Sequence, residues 1–322
     1  MDRTRMNCTR DQLCLHVKPL HRHQTIFGVI ELKPLNWLFL RWSLMRGVSL
    51  LKRAAKVDPK KALGFYEAAY ERFDAATNYQ PGSYQAHLKW AHGLYNQARR
   101  QEAKEQWRTF TRACEKYERA NEIEPDKLET LKFWGLALRG LARNKREKNP
   151  DLCFQKACEK FELAAAITLE EHDLHYHWAL TLYQQAGKKQ GKVTQNLLNE
   201  ACEQFSEAAR INKKHPNTYN DWGAALLALA ALSADEENQQ FLEQARNKCL
   251  EAESIKPGFA SYNLACISAL CGELEKCREH LETAHSGKKI PSASQLENDP
   301  DFRGVRKLDW FKELAAKVRS ES

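Results

Sequence analysis

Apolar residues return along this chain with a single period of 44 residues. The period holds in four registers, one of tryptophan, two of alanine and one of isoleucine. The members are Trp90, Trp134, Trp178 and Trp222; Ala113, Ala157, Ala201 and Ala245; Ala120, Ala164, Ala208 and Ala252; and Ile123, Ile167, Ile211 and Ile255. Four registers that share one period indicate an array of structural repeats.

Each repeat unit contains two stretches with helical periodicity. In one unit the first stretch carries Leu131, Trp134 and Leu138, and the second carries Ala157, Phe161 and Ala164. The spacings of three, four and seven residues place each set on one stripe of a helix. Every proline from Pro59 to Pro257 falls at a predicted helix boundary, where its missing N–H costs little. The pattern therefore predicts an all-α chain with tryptophans that pack in its core.

The unit resembles the tetratricopeptide repeat, a helix-turn-helix unit of 34 residues. The signature residues are Leu131, Trp134, Gly135, Leu138, Ala157, Phe161 and Ala164. From Gly135 to Ala157 the chain runs 22 residues where the family has 12, so ten polar residues are added between the helices. We expect them to form extended helix ends and a longer loop along one edge. The resemblance implies a right-handed solenoid of helical hairpins.

The repeat divides the chain into three predicted regions. Residues 1–33 form a basic N-terminal arm, disordered or used for targeting, and residues 288–322 resemble the capping helices that close such arrays. Between them about six units are expected, at 34–81, 82–125, 126–169, 170–213, 214–257 and 258–287. The sixth unit has the ordinary family length.

The net charge of +8 lies wholly at the N-terminal end of the chain. Residues 1–57 hold eleven Lys and Arg against three acidic residues, and the remainder holds 39 of each sign. The body has no positive excess that would follow a phosphate backbone, so nucleic acid is an unfavoured partner.

Residues 34–51 are strongly apolar but are poorly suited to crossing a membrane. Eighteen residues are short for a span, and Arg41 and Arg46 interrupt them. We expect the first helix of the first unit here. The alternative is a membrane-surface or partner contact through Trp37, Phe39 and Trp42.

The cysteines and the N-terminus indicate an intracellular protein. None of the ten cysteines forms a Cys-x-x-Cys pair, and no apolar segment is followed by a secretory cleavage site. A reducing compartment is predicted, with the cytoplasm as the first expectation. The Arg-rich, acid-poor start leaves a chloroplast or mitochondrion as the alternative.

No catalytic constellation is present in the sequence. The stretch 187–193 lacks the glycine spacing and the Ser/Thr of a phosphate loop. Neither the histidines of residues 172–177 nor the cysteines of residues 266–277 have the spacing of a metal site. We therefore expect a non-enzymatic protein without catalytic residues, metal or cofactor.

The family resemblance implies a binding groove lined by the first helices of the units. Carried position by position, it predicts groove-facing side chains at Leu88, Lys89, His92, Tyr95, Asn96, Lys132, Arg139, Tyr176, His177, Tyr183, Gln184 and Asn220. Tyrosine offers a large area with a hydrogen-bonding tip, which suits a peptide. The two-carboxylate clamp of chaperone-binding members is absent, because Leu88 and His92 replace its Lys and Asn.

These features predict a protein–protein interaction scaffold or adaptor. Its groove is expected to bind peptide or helical segments of partner proteins, with assembly of a larger complex as one use. Two alternatives remain open, namely an RNA-binding helical-repeat protein and a regulatory subunit of an enzyme.

Overall fold

The computed structural model describes residues 33–321, with side chains from residue 37 onward. The predicted arm therefore lies outside the described residues, except for Lys33. Fourteen α-helices and one 3-10 helix, and no strand, occur within the described range. The α-helices are α1 Lys33–Ala54, α2 Pro59–Tyr79, α3 Tyr84–Ala98, α4 Ala103–Ile123, α5 Leu128–Ala142, α6 Pro150–Ala165, α7 His172–Ala186, α8 Lys192–Ile211, α9 Pro216–Ala230, α10 Asp235–Ile255, α11 Ser261–Leu270, α12 Leu274–Ser286, α13 Ala293–Asn298 and α14 Asp309–Ser320; the 3-10 helix is Pro300–Phe302.

The helices pack as consecutive hairpins. Each odd-numbered helix from α1 to α11 makes its most extensive contact with the even-numbered helix that follows it, and each hairpin then packs on the next. This confirms the predicted all-α array of helical hairpins. The odd-numbered helices are the first helices of the units, and the even-numbered helices are the second.

Small residues let the two helices of a hairpin approach closely. A Cβ atom built on Gly135 would lie 2.8 Å from the ring of Phe161, and one on Gly47 would lie 2.7 Å from the ring of Phe73. The alanines of the second helices, such as Ala113 and Ala157, are fully buried. The residue that follows the tryptophan position is therefore small because a side chain of the second helix fills the space beside it, an aromatic ring at Gly47 and Gly135 and the sulfur of Cys249 at Gly223.

The repeated tryptophans are less buried than the sequence predicted. Only Trp90 is buried, with 7% of its surface exposed, whereas Trp134, Trp178 and Trp222 are half-buried. In three units a lysine of the second helix covers the ring face, and the ammonium lies about 4 Å from the ring centroid (3.8, 4.4 and 4.0 Å). The pairs are Lys116 with Trp90, Lys160 with Trp134, and Lys248 with Trp222. These three rings sit at the outer margin of the core, each under the ammonium group of a lysine.

The ten added residues of each unit lengthen the helices more than the loops. The loops inside the hairpins span only four to seven residues, at 99–102, 143–149, 187–191 and 231–234. Residues 235–238, which we expected between the helices, form the first turn of α10. In one loop Asn149 caps α6, because its side chain accepts a hydrogen bond from the N–H of Leu152 at 3.2 Å.

Helix α1 packs on α2 as the first helix of the first unit, but only through part of its length. Ser43, Leu50 and Ala54 are buried, whereas Trp37, Phe39 and Trp42 are exposed. Within residues 33–321 no helix is both long and apolar enough to cross a membrane.

Candidate functional site

The first helices of successive units lie side by side and form one surface, the first-helix face. Contacts join α3 to α5, α5 to α7, α7 to α9 and α9 to α11. Each junction contains at least one polar bond between neighbouring helices. The bonded pairs are Tyr84 Oη with Thr130 Oγ1 at 2.9 Å, Arg139 Nη1 with the carbonyl of His177 at 3.3 Å, Tyr176 Oη with Asp221 Oδ2 at 2.8 Å, and Asn263 Nδ2 with Asn220 Oδ1 at 3.0 Å.

At the α3–α5 junction His92 lies at the centre of a bonded network. Its Nδ1 is 2.7 Å from Tyr117 Oη, and its Nε2 is 2.9 Å from Glu129 Oε1. Lys89 Nζ lies 3.5 Å from the same carboxylate, and the ring of Phe133 packs edge-on against His92. Burial lowers the pKa of His92. Burial alone would raise the pKa of Glu129, but the hydrogen bond from His92 and the charge of Lys89 outweigh it and lower the value.

Lys132 is held by a similar bond at the next junction. Its ammonium donates to Glu171, which lies immediately before α7, and both side chains are largely shielded from solvent. Lys132 therefore lies on the first-helix face but is already paired with a carboxylate.

Titratable groups meet in the middle of the face, at the α5–α7–α9 junctions. Burial lowers the pKa of Arg139 to about 10. Burial, and then the charge of Arg139, lowers the pKa of His177 to about 3, so this imidazole is neutral in the folded protein near pH 7. Burial raises the pKa of Asp221 although Tyr176 donates a hydrogen bond to it. Folding thus places these groups where charge is costly, which ties the stability of this region to pH.

Two of the expected groove residues are buried rather than open to a ligand. Leu88 is fully buried, and Tyr95 has 7% of its surface exposed. The Tyr95 ring packs 6.1 Å from Phe110 and 5.8 Å from Phe133, measured between ring centroids. Both residues lie on the stripe of α3 that faces its neighbouring helices. The groove positions carried over from the family therefore predict more exposure for these two side chains than the structure shows.

The remaining expected residues differ in whether a neighbouring helix already binds their polar groups. Those bound to a neighbouring helix are His92, Lys132, Arg139, Tyr176 and Asn220. Lys89 is ion-paired with Glu129 but keeps accessible surface, as do Asn96, His177, Tyr183 and Gln184. Buried atoms of His177 (Nδ1) and Gln184 (Oε1) have no hydrogen-bond partner among the described residues.

Sequence reasoning missed two arginines that share a pocket with Arg139. Arg99 follows α3 and Arg143 follows α5, and both line a pocket of about 310 Å³ together with Gln106 of α4. The groove positions carried over from the family end before Arg99 in the first of these units and before Arg143 in the second. The concentration of arginine near the hairpin loops was the available signal.

One group of side chains among the described residues is close enough to hold a metal ion, namely Cys266, Asp299 and Asp301. The two oxygens of Asp299 already accept bonds, from Tyr262 Oη at 2.7 Å and from the N–H of Asp301 at 3.0 Å. Burial raises the pKa of Asp301, which favours its protonated form. The group is therefore explained as a joint between α11 and the C-terminal cap.

The histidines of α7 do not converge on one point. His172 Nε2 lies 3.0 Å from Thr218 Oγ1, and His175 Nδ1 lies 2.8 Å from Gln204 Oε1. The two side chains bond to different helices: His172 connects neighbouring hairpins through α9, and His175 connects the two helices of its own hairpin through α8.

The fold matches solved repeat proteins at low sequence identity. A structure described as a functional characterisation of Pseudomonas aeruginosa PilF has a TM-score of 0.53 and 12% identity, and the match covers 83% of this chain and 96% of that one. YrrB, described as a TPR protein with an unusual peptide-binding site, has a TM-score of 0.46 and 18% identity, over 77% of this chain and 97% of that one. Human IFIT1, solved as a dimer with m7Gppp-AAAA, has a TM-score of 0.46 and 14% identity, over 87% of this chain and 59% of that one.

No protein-family model and no curated protein matches the chain. The hairpin array and the likeness to PilF establish the fold, a solenoid of helical hairpins, and the signature residues of the unit resemble those of the tetratricopeptide repeat.

Proposed function

We propose that this tetratricopeptide-repeat chain is a non-enzymatic scaffold or adaptor whose first-helix face binds a peptide or helical segment of a partner protein. One observation carries the proposal. Aromatic, imidazole, amide and ammonium side chains with accessible surface follow one another along α3, α5 and α7. The set is Lys89, Asn96, Phe133, Tyr176, His177, Tyr183 and Gln184.

The chemistry of this row suits an extended polypeptide. The rings of Phe133, Tyr176 and Tyr183 are half-buried, so they offer rigid apolar area that loses little entropy on binding. Gln184 Oε1 and His177 Nδ1 lack partners among the described residues, and a buried polar atom without a partner destabilises a protein. The parts of these two side chains that remain accessible would contact a bound segment.

The cysteines of the second helices support an intracellular setting for this scaffold. Burial raises the pKa of both Cys158 and Cys202 to about 12, so these thiols are protonated and unreactive near neutral pH. They act as small packing residues in a reducing compartment, for which the cytoplasm remains the first expectation.

Site-specific cross-linking tests the proposed binding face. Asn96 and Gln184 are replaced, one at a time, by the photo-reactive residue p-benzoylphenylalanine. Glu118, which is exposed on the second helix α4, receives the same residue as a control. After irradiation in cells, mass spectrometry should find peptides of one partner attached to positions 96 and 184 and absent from position 118. Equal labelling of all three positions would show that contact is not confined to the first-helix face.

A matched variant then separates binding from folding. We expect Lys89→Ala/Asn96→Ala/Gln184→Ala to keep the melting curve of the parent and to lose capture of the cross-linked partner, because all three side chains keep accessible surface. Tyr95 is left unchanged because it is buried. Recovery of nucleic acid instead of peptide, with binding that falls steeply with salt, would favour the RNA-binding alternative.

A further inference from the structure

Three arginines surround one pocket at the hairpin-loop edge of the first-helix face. Arg99 approaches from the end of α3, and Arg139 and Arg143 approach from the end of α5. Tyr95 and Phe110 contribute rings to the wall, and the pocket has a volume of about 310 Å³. We call this site the arginine pocket.

The positive charge of the arginine pocket is not neutralised within the described part of the chain. No acidic side chain lines it, and no carboxylate of residues 37–321 lies within ion-pair distance of Arg99, Arg139 or Arg143. Arg139 donates only to the backbone carbonyl of His177, at 3.3 Å. Burial lowers the pKa of Arg139, and the neighbouring charges of Arg143 and Arg99 act in the same direction. An anion bound in the pocket would offset the unfavourable burial of the Arg139 charge and its repulsion by Arg99 and Arg143.

The walls of the arginine pocket are held in place by bonds that do not use the arginines. Buried Asn144, the residue after Arg143, donates to the carbonyl of Ala103 at 2.7 Å and to Gln106 Oε1 at 3.3 Å. Gln106 in turn donates to the carbonyl of Ala98 at 3.3 Å. The end of α5 is thereby fixed to the start of α4 and the end of α3.

Close helix packing adds to this rigidity. A Cβ atom on Gly140 would lie 2.5 Å from the ring of Phe110, so a glycine permits α5 to approach α4 at this level. The guanidinium of Arg99 lies over the ring of Tyr95, 5.7 Å from its centroid. The site is therefore assembled before a ligand arrives, which lowers the entropy lost on binding.

We propose that the arginine pocket binds a phosphoryl group on a side chain of the partner segment. Planar guanidinium groups bind phosphate and carboxylate oxygens in pairs. Three arginines that line one pocket match the three terminal oxygens and double charge of a phosphoryl group better than the two oxygens of a carboxylate. Tyr95 in the pocket wall packs against Phe133 of the first-helix face, with 5.8 Å between the ring centroids, so a segment bound on that face would reach the pocket. This inference rests on the proposed function.

The test uses three peptide libraries that differ only at one fixed central residue. The residue is phosphoserine, serine or glutamate, with three randomised residues on each side. The full chain is immobilised and the retained peptide is quantified. We expect the phosphoserine library to be retained roughly tenfold more than the serine library, the size of one strong charge-assisted interaction.

Two double variants that each remove two positive charges show whether the preference for phosphoserine depends on the arginine pocket. Arg99→Gln/Arg143→Gln removes two exposed pocket arginines, whereas Arg108→Gln/Arg146→Gln removes two exposed arginines outside the pocket. The first variant should lose the preference for phosphoserine and keep the retention of the serine library. The second should behave like the parent.

Each contrary outcome has a distinct meaning. Equal retention of the phosphoserine and serine libraries would overturn the phosphoryl assignment while leaving peptide binding intact. Equal retention of the glutamate and phosphoserine libraries would assign the pocket to carboxylates. A loss of preference in both variants would show a general effect of charge. Retention of no library would also overturn the phosphoryl assignment, and the cross-linking result would then decide peptide binding separately.

Discussion

Within the described residues, the two ends of the solenoid differ in how much apolar surface they leave exposed. At the C-terminal end the 3-10 helix packs on α11, α14 packs on α12, and α13 packs on α14, and Leu296, Phe302 and Phe311 are almost completely buried. At the N-terminal end the first turns of α1 expose five large apolar side chains, with 41 to 63% of each surface accessible. These are Trp37, Leu38, Phe39, Trp42 and Met45.

The difference shows that one helix can belong to both the core and the surface. From Ser43 onward α1 buries a stripe against α2, as a terminal repeat helix must. The turns before it carry aromatic rings, and Arg41 and Arg72 lie over the rings of Trp37 and Trp42. These exposed apolar side chains are the basis for proposing a contact surface at this end of α1. The C-terminal end, in contrast, carries its own cover.

The largest effect is expected from removing the N-terminal end to different depths. A chain that starts at residue 34 keeps nearly all of α1 and should fold with an unchanged melting temperature. A chain that starts at residue 58 loses α1 and exposes the faces of Tyr70 and Phe73 that are now buried. We expect aggregation or a strongly lowered melting temperature in the second chain.

Size-exclusion chromatography and thermal melts distinguish the two truncated chains. A longer deletion that improves solubility and abolishes membrane or organelle fractionation would show that residues 34–51 serve targeting or membrane contact. That result would also mean that α1 is not part of the solenoid.

The next largest effect is expected at the C-terminal cap. Phe302→Ala should cost about 3–5 kcal/mol, the usual range for a fully buried phenylalanine. Its ring is completely buried and packs 5.7 Å from Tyr262 and 5.6 Å from Phe311, measured between centroids. Equilibrium unfolding in urea measures the loss. A loss below about 1 kcal/mol would mean that the cap is not coupled to the array.

The sequence predicted the fold because the repeat constrains each position several times over. Ala113, Ala157, Ala201 and Ala245 are all fully buried, as four copies of one register require. The same logic was less successful for tryptophan. A large residue at a repeated position indicates contact with the core, but the exposure of the ring still differs between units: Trp90 is buried, whereas Trp134, Trp178 and Trp222 are half-buried.

The candidate site was harder to predict because it depends on contacts between units. The groove positions carried over from the family identified Arg139 but not Arg99 or Arg143, which come together only through the relative placement of α3 and α5. The family positions also could not show that the Tyr176 hydroxyl is already bonded to Asp221, 45 residues along the chain, so that only the ring of Tyr176 is open to a ligand. A periodic sequence pattern describes one unit, whereas these bonds join two.

Two tryptophans in the interior of the array, Trp90 and Trp134, allow the effect of burial on stability to be compared at an intermediate size. Trp90→Ala should cost about 3–5 kcal/mol, as for other buried aromatic residues. Half-buried Trp134 has less apolar area to lose, so Trp134→Ala should cost about 2 kcal/mol. The two variants remove the same side chain from the same repeat position, so urea unfolding compares burial directly. Equal losses would indicate that the lysine stem above Trp134 shields the ring as well as core packing does.

The smallest effect is expected on the exposed face of α1. Leu38→Gln/Met45→Gln places good helix formers at two accessible positions, so the free energy of unfolding should change by less than about 0.5 kcal/mol. Retention on a hydrophobic-interaction column should fall, because two of the five apolar side chains of the patch are lost. If this double variant were instead destabilised as much as Phe302→Ala, the patch would have to be covered in solution. The N-terminal end would then be closed as completely as the C-terminal end, and the contrast between the two ends would disappear.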